Sequence, residues 1–391
     1  MGSTVAGLAQ DVPVELVGRA VQGVGAALIA PAALTLLMVL FGSNPKELTK
    51  AIALYGAAAP AGGTAGVFLG GVITEWASWP WVFYLNIPVA LAALALTPRL
   101  MPDVAGSHGS HDVLGAVTVT GGLAAAVFTI VRAPEVGWTS TQTILAGVGA
   151  VALLGTFLAV QATARHPLVR LGIFTTPNLA AANIAQLLLG AAWVPMWFFL
   201  NLYLQQVLGL SAFPSGSALL PMTLFIMLGM IVVAPRVMAR FGPKRTLVAG
   251  MTVLSAGLAE LSLIRSDGSF WVDVLPASLI AAAGMSLAFI PSLGIALASA
   301  RPEEGGLASG IVNTSYQVGS ALGLAAMTAV AASNGTDRLG DIGALTEGYS
   351  AALIGAAGIA AVGAVLAATS LRFPRQRAQS VDAVDERQQA A

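Results

Sequence analysis

Along the chain, apolar blocks alternate with short polar stretches, and each block is about 20 residues or more, enough to span a hydrocarbon core of roughly 30 Å. Eleven blocks stand out, at 14–38, 50–73, 81–98, 113–132, 142–162, 178–203, 215–235, 246–264, 273–298, 305–332 and 348–371. The segments between them carry turn chemistry, as in "FGSNPKELTK", "MPDVAGSHGSHD" and "RFGPKR". In hydrocarbon a helix satisfies its own backbone within one segment, so the pattern predicts an all-α polytopic membrane protein. The last stretch, 372–391, is polar and charged and reads as a disordered tail.

Composition agrees. Of 391 residues, 57% are hydrophobic and only 9% charged, against about 25% charged in an average soluble domain. The absence of cysteine excludes disulfides and thiolate metal sites. The three histidines, His108, His111 and His166, all fall in hydrophilic stretches, which argues against a histidine metal site. Zero net charge offers nucleic acid no basic surface. There is no Walker loop, no zinc-type His-Glu spacing and no Ser-His-Asp set, so the chain reads as a non-enzyme without a cofactor. No basic region precedes the first apolar block, where Asp11 and Glu15 lie instead, so the start does not resemble a cleaved signal peptide.

Lysine and arginine set the expected orientation. With the loop after the first block cytoplasmic, fourteen of the eighteen fall on that side, and three, Arg132, Arg265 and Arg338, fall opposite. The remaining one, Arg19, lies inside a block. The N-terminus is then outside and the C-terminus cytoplasmic.

The polar positions inside the blocks carry the chemistry. Arg19 and Gln22 share a helix face with Gly23, Ala26 and Ala30. Spacing alone leaves Arg19 either snorkelling to the outer interface or serving as a functional charge. In the second block Gly62, Gly66 and Gly70 recur every four residues beside Gly63 and Gly71, a ridge suited to close helix packing or to hinging. The sixth block carries a stripe of Asn183, Gln186, Gly190, Trp193, Trp197 and Asn201 at helical spacing. Lipid would not tolerate its amides, so the stripe faces the bundle or a water-filled cavity, and its rings suit a large, mostly apolar ligand. The two tryptophans also fit interfacial anchors. The tenth block repeats the theme with Asn313, Gln317 and Ser320. Apart from Glu15 and Asp273 at block edges, Glu260 is the one carboxylate placed inside a block, near its outer end. Blocks one and two echo blocks nine and ten, each a pair in which a short cytoplasmic link leads into a Gly-rich helix, as in transporters with duplicated halves.

Five strings together resemble the fourteen-span drug:proton antiporters of the major facilitator superfamily. "GRAVQGVGAALIAPAAL" is similar to the fourth-helix signature, and "SWPWVFYLNIPVALAAL" to the entrance of the sixth helix. "NLYLQQVLGLSAFPSGSALLP" resembles the ninth-to-tenth helices, "RVMARFGPKR" the basic gate loop that follows, and "GLASGIVNTSYQVGSALGLA" the thirteenth helix. The resemblance implies a facilitator-type bundle in which these blocks are helices four to fourteen of a chain shortened at its N-terminus. Residues 1–98 would be the remainder of the N-terminal bundle, 99–170 two linker helices, and 171–371 the six-helix C-terminal bundle.

The same resemblance implies export of drugs, antibiotics or other amphipathic molecules across the cytoplasmic membrane by a monomer, driven by the proton gradient. It assigns Arg19 and Gln22 to proton coupling and Gly62, Gly66, Gly70 and Gly71 to an antiporter-like packing motif. Asn183, Gln186, Trp193, Trp197, Asn313 and Gln317 would line the substrate cavity, and Arg240, Gly242, Lys244 and Arg245 would form a cytoplasmic gate. The chain departs from the pattern at Gly66-Val67, where the family has Gly-Pro, at Ala53 in place of the motif's first glycine, and at Trp79-Pro80-Trp81. Losing the proline removes a kink and leaves antiport less firmly implied than export. A non-transporting remnant or membrane assembly partner is the alternative reading.

Overall fold

The computed structural model describes residues 1–101, 112–165, 167–176, 178–301 and 304–372. The expected disordered tail beyond residue 372 and all three histidines lie outside the described residues. Every regular element among the described residues is helical. Helix starts follow the capping rules: Asp11 accepts from the Val14 amide ahead of α2 (Val12–Phe41), and Asn44 accepts from Lys46 and Glu47 ahead of α3 (Pro45–Trp76). Each of these helices also has proline in its first turn, where the missing N–H costs nothing.

Ten segments among the described residues are long and apolar enough to cross a membrane. Besides α2 and α3 they are Pro80–Leu100 (α4, Pro80–Tyr84, and α5, Asn86–Leu100), α6 (Val113–Val136), α7 (Thr141–Thr163), Leu179–Val207, Ala212–Phe241, Phe270–Ser299, Gly305–Thr336 and α15 (Ile342–Ser370). Within them run α8 (Leu179–Leu202), α9 (Ala212–Ala218), α10 (Leu220–Leu228), α11 (Ala234–Phe241), α13 (Leu275–Ser299) and α14 (Gly305–Ala331). The remaining predicted block, the eighth, is α12 (Pro243–Leu261), less apolar because it carries Lys244, Arg245 and Glu260 near its ends. Its 19 residues give about 28 Å of helix at 1.5 Å rise, still the thickness of a hydrocarbon core. A short helix absent from the sequence reading, α1 (Gly2–Gly7), lies across α2, with Gly2 tight against Gly18 and Gln22.

The core sits among the helices from residue 179 onward. Phe199, Tyr203, Met251, Leu254 and Tyr349 are all buried there, and the Phe199 and Tyr349 rings meet at 5.8 Å, tilted by 41°. Backbones come close where glycine permits. A Cβ on Gly319 would fall on the Leu187 carbonyl and one on Gly323 on Ala191, so α14 lies directly on α8; Gly257 and Gly284 bring α12 and α13 together in the same way. The predicted ridge does not pack like this. Among the described residues nothing lies within 4 Å of a Cβ built on Gly62, Gly66 or Gly70, whereas one built on Gly71 would fall 2.6 Å from the Ala212 carbonyl oxygen. Four-residue glycine spacing makes close approach available without specifying that a partner uses it.

Polar bonds tie off the ends. Where the basic loops gather, Asn178 and Arg372 exchange two bonds (3.1 and 2.8 Å), and Lys244 Nζ donates to the Leu371 carbonyl at 2.6 Å. Arg170 pairs with Glu304 at 3.6 Å. The α6–α7 hairpin is held by Asp112, which accepts from the Gly115 amide at 2.7 Å and from Gln161 Nε2 at 2.7 Å; Gln161 Oε1 in turn accepts from the Val169 amide.

Two predictions follow from this packing. Gly319→Val is expected to destabilise by about 1–3 kcal/mol through backbone overpacking, whereas Gly66→Val stays within about 0.5 kcal/mol. Thermal unfolding in detergent separates the two. The bonds from Gly115 and Gln161 also hold the Asp112 carboxyl below its ordinary pKa of 3.8. Its contribution is therefore complete at neutral pH and is lost as pH falls through the lowered folded-state value. Asp112→Ala should lower the melting temperature at pH 7, and the gap from the parent protein should narrow progressively below pH 3.8; a gap independent of pH would contradict the assignment.

Candidate functional site

Two sets of helices face each other across a cavity of about 420 Å³. One wall comes from α2 and α3 through Ala30, Leu34, Tyr55 and Gly56; the other comes from α8, α13 and α14. The α8 stripe places its Gln186, Trp193 and Trp197 here, with the two indoles edge to face at 6.3 Å. Asn313, Tyr316 and Gln317 enter from α14, and Phe289 of α13 meets the Tyr316 ring edge to face at 5.8 Å. Met230 and Met285 complete the apolar part with adaptable, polarisable side chains.

No charged side chain among the described residues lines the cavity. Its polar atoms are amides, indole N–H groups and phenols. Gln186 is 1% exposed, and its Oε1 has no hydrogen-bond partner among the described residues. A buried acceptor left open costs about 1–3 kcal/mol, so the site holds an unspent capacity to receive a donor. A ligand of matching shape would be bound by rings, sulfur and a few hydrogen bonds, with no ion pair.

Of the six predicted cavity residues, five line it. Asn183 does not. It is 4% exposed in the α8–α14 contact, where its Nδ2 donates to the Leu179 carbonyl and its Oδ1 accepts from Ser315 at 3.1 Å. The stripe turns with the helix, so its first member meets α14 before the helices part around the cavity. Its last member, Asn201, accepts from Ser215 and Gln205. Tyr55, Phe289 and Tyr316 were missed. Tyr316 sits between the two amides already singled out in "NTSYQ", and three-residue spacing from Asn313 was a usable signal.

At the end opposite the basic loops, α3 and α9 are held together by a clasp. Glu75 accepts from Ser211 Oγ at 3.1 Å and from the Phe213 amide at 3.1 Å. Phe213 is flanked by Phe68 and Trp76, with ring centroids 5.5 and 5.3 Å away. Toward the basic loops, Leu34 is buried and Gly56 packs on Phe289 and Ile290.

Arg19 and Gln22 lie on α2 outside the cavity lining. Arg19 Nη1 donates to Gln22 Oε1 at 3.5 Å, and its guanidinium lies 5.5 Å from the Phe83 ring centre. Gln22 Nε2 donates to Ser3 Oγ at 2.8 Å. Arg19 has no carboxylate partner among the described residues. Glu260 is exposed, away from this cluster's contacts. In the basic loop, Gly242 makes the turn at φ +80°, Arg240 stacks on Phe241 at 5.3 Å, and Arg245 is exposed. The bond from Lys244 to Leu371 ties α12 to α15, two helices of the same C-terminal set.

Named drug-resistance and export proteins resemble most of the chain. It is 33% identical to the puromycin resistance protein of Streptomyces alboniger over 379 residues, covering 94% of this chain and 75% of the relative. It is 32% identical to the cephamycin export protein of Amycolatopsis lactamdurans, over 91% of this chain and 73% of that one. A tetracenomycin C resistance and export protein of Streptomyces glaucescens is 32% identical, over 87% of this chain and 62% of its own length. The family model of the Major Facilitator Superfamily matches residues 1–324. An uncharged cavity between facing sets of membrane helices, in a chain that matches that model over most of its length, makes this protein a member of the major facilitator superfamily.

Proposed function

We propose that this multi-pass membrane protein exports amphipathic small molecules, antibiotics among them, and that it does so by exchange for protons as a monomer in the cytoplasmic membrane, with its basic loops and C-terminus facing the cytoplasm. The observation that carries the reading is the cavity: aromatic and thioether walls, a few open amides, and no charged lining residue among those described. Such a lining discriminates little among apolar frameworks and disfavours phosphorylated solutes and sugars. The relatives' roles, resistance to puromycin and export of cephamycin, support the same direction. The five motifs resemble those of the fourteen-span drug exporters of the superfamily, which supports the same reading. In this reading the cavity opens alternately to the two faces as α2 and α3 rock against the C-terminal helices, and the Glu75 clasp and the loop of Arg240, Gly242, Lys244 and Arg245 close opposite ends. Gly62, Gly66 and Gly70 lie open in this arrangement, and they would meet a partner as α3 moves.

Arg19, with Gln22, serves proton coupling. A guanidinium stays charged at any physiological pH, so its part is to repel a proton or lower the pKa of an acid that approaches it.

Three outcomes test this. In a drug-hypersensitive host, expression should lower accumulation of puromycin or a lipophilic dye, and a protonophore should abolish the difference. Unchanged accumulation of every compound would favour the non-transporting alternative. Arg19→Ala should abolish proton-linked export at an unchanged membrane level, with Arg19→Lys restoring only part; export retained in Arg19→Ala removes the assignment. Gln186→Met fills the same volume without an orphaned acceptor, so it is expected to raise stability by about 1 kcal/mol while weakening ligand-induced thermal stabilisation. Stability that falls in this variant would mean the amide is already satisfied.

A further inference from the structure

The central cavity is polarised along its length. α8 and α14 run parallel, with Asn183 bonded to Ser315, and with Leu187 and Ala191 seated on Gly319 and Gly323. That register sets Gln186 level with Tyr316 and Gln317. Trp193 and Trp197 then lie two to three turns further from the basic loops, about 10–16 Å along α8. Gly56 packs on Phe289, whose ring meets Tyr316, so α3 brings Tyr55 to the same end as the amides. One end of the cavity is amide and phenol, and the other is indole.

We infer that the cavity selects uncharged aromatic compounds bearing carbonyl or ether oxygens, with the phenols of Tyr55 and Tyr316 and the two indoles as the donors that recognise them. The inference rests on the cavity being the ligand site proposed above, and it names the chemistry of that ligand. Three observations carry it. The donors are unspent: the side chains of Tyr55, Trp193, Trp197 and Tyr316 have no hydrogen-bond partner among the described residues, although all four line the cavity. The balance also favours donation. An amide offers two N–H groups against one oxygen with two lone pairs, so Asn313 and Gln317 add no net preference, whereas an indole nitrogen donates and cannot accept. A ligand that only donates would leave these N–H groups stranded away from water, and one that accepts relieves them.

The third observation is the missing charge. No charged side chain among the described residues lines the cavity. An ammonium ligand would shed its water there without gaining a carboxylate, and attraction to ring faces returns only part of that hydration. Some of those faces are already engaged, because Trp193 meets Trp197 edge to face and Phe289 meets Tyr316 in the same way. An anion fares no better without a cation in the wall. A neutral carbonyl gives up little hydration and finds donors at both ends.

The test compares three tricyclic probes of similar shape on the full chain in lipid nanodiscs, with empty nanodiscs subtracting partition into lipid. They are anthraquinone, which carries carbonyls, anthracene, which carries none, and anthracene bearing a quaternary ammonium, whose charge does not depend on pH. Equilibrium binding of each tritiated probe is measured. Anthraquinone should bind about tenfold more tightly than either of the others. Tyr55→Phe and Tyr316→Phe keep the ring and remove one donor each, so each should weaken anthraquinone about two- to tenfold and leave anthracene unchanged. Asn313→Asp places a carboxylate in the same volume, and should bring the ammonium probe above anthraquinone. In the parent protein, an ammonium probe or anthracene that binds as tightly as anthraquinone overturns the inference. So does anthraquinone binding indifferent to both phenylalanine substitutions, or a loss of all probes alike, which would make the tyrosines packing residues only. An ammonium probe that gains nothing in Asn313→Asp removes the argument from charge, and the inference with it. If no probe binds the parent protein saturably, the cavity reading itself falls. Saturable binding in the wrong order leaves that reading standing and removes only the ligand class.

Discussion

The cavity depends on the contact between α8 and α14. These helices touch backbone to backbone because Gly319 and Gly323 offer no Cβ to Leu187 and Ala191, and Gly190 offers none to the Tyr316 carbonyl. The bond from Ser315 to Asn183 fixes their rotation. With that face locked, the remaining polar and aromatic positions of both helices have one direction left, toward α2 and α3. In hydrocarbon there is no general hydrophobic drive between helices, so close van der Waals contact and a few buried polar bonds must supply both adhesion and register. Replacing one of these glycines would do more than weaken a contact. It would rotate or displace the wall that carries Trp193, Trp197, Asn313 and Gln317.

Much of this was legible in the sequence, because a bilayer makes polar residues conspicuous. An amide in an apolar block has few tolerable directions, so the α8 stripe and the Asn313–Gln317 pair predicted a cavity wall, and five of the six named residues lie on it. The failures have physical causes too. Asn183 obeys the same periodicity as Gln186, and nothing in spacing says that the helices are in contact at one level and parted at the next. The glycines of 62–70 look like a packing ridge, yet the tight contacts of α3 are made at Gly56 and Gly71. Glycine marks where approach is possible, and only a partner surface decides where it happens. Apolar lining residues such as Phe289 cannot be distinguished by composition from the hundreds of core and lipid-facing atoms around them.

The uncharged lining has an energetic logic of its own. A carboxylate in a cavity of this polarity would demand a counter-ion or a shifted pKa, and it would select strongly for cations. Open amides ask less: Gln186 sacrifices some stability and leaves an acceptor that many ligands can satisfy. Methionines 230 and 285 adapt to whatever shape arrives. Breadth of ligand and modest stability of the empty site are two consequences of the same choice of residues.

An uncharged cavity also means that in the proposed exchange the proton and the exported molecule do not share a binding pocket, so coupling must pass through a helix. The candidate is α2. It carries Arg19 near one end and presents Ala30 and Leu34 to the cavity further along, and the eleven helical steps from Arg19 to Ala30 span about 16 Å. That is beyond contact and within one rigid rod. Pro31 stands between the two cavity residues, removing a helical bond, and the Thr35 hydroxyl donates back to the Pro31 carbonyl at 2.9 Å. In that exchange, a rod stiff from Arg19 to Ala30 and bendable at Pro31 would convert a change in charge around the guanidinium into a change in angle at the cavity wall. Gln22 reaches across to Ser3 and Arg19 lies over Phe83, so α1 and α4 brace the charged end of the rod. Its other end, at Leu34, is buried between the two sets of helices. Movement there must either open the contact with the C-terminal helices or be transmitted through it, and both outcomes bear directly on the residues that face a ligand.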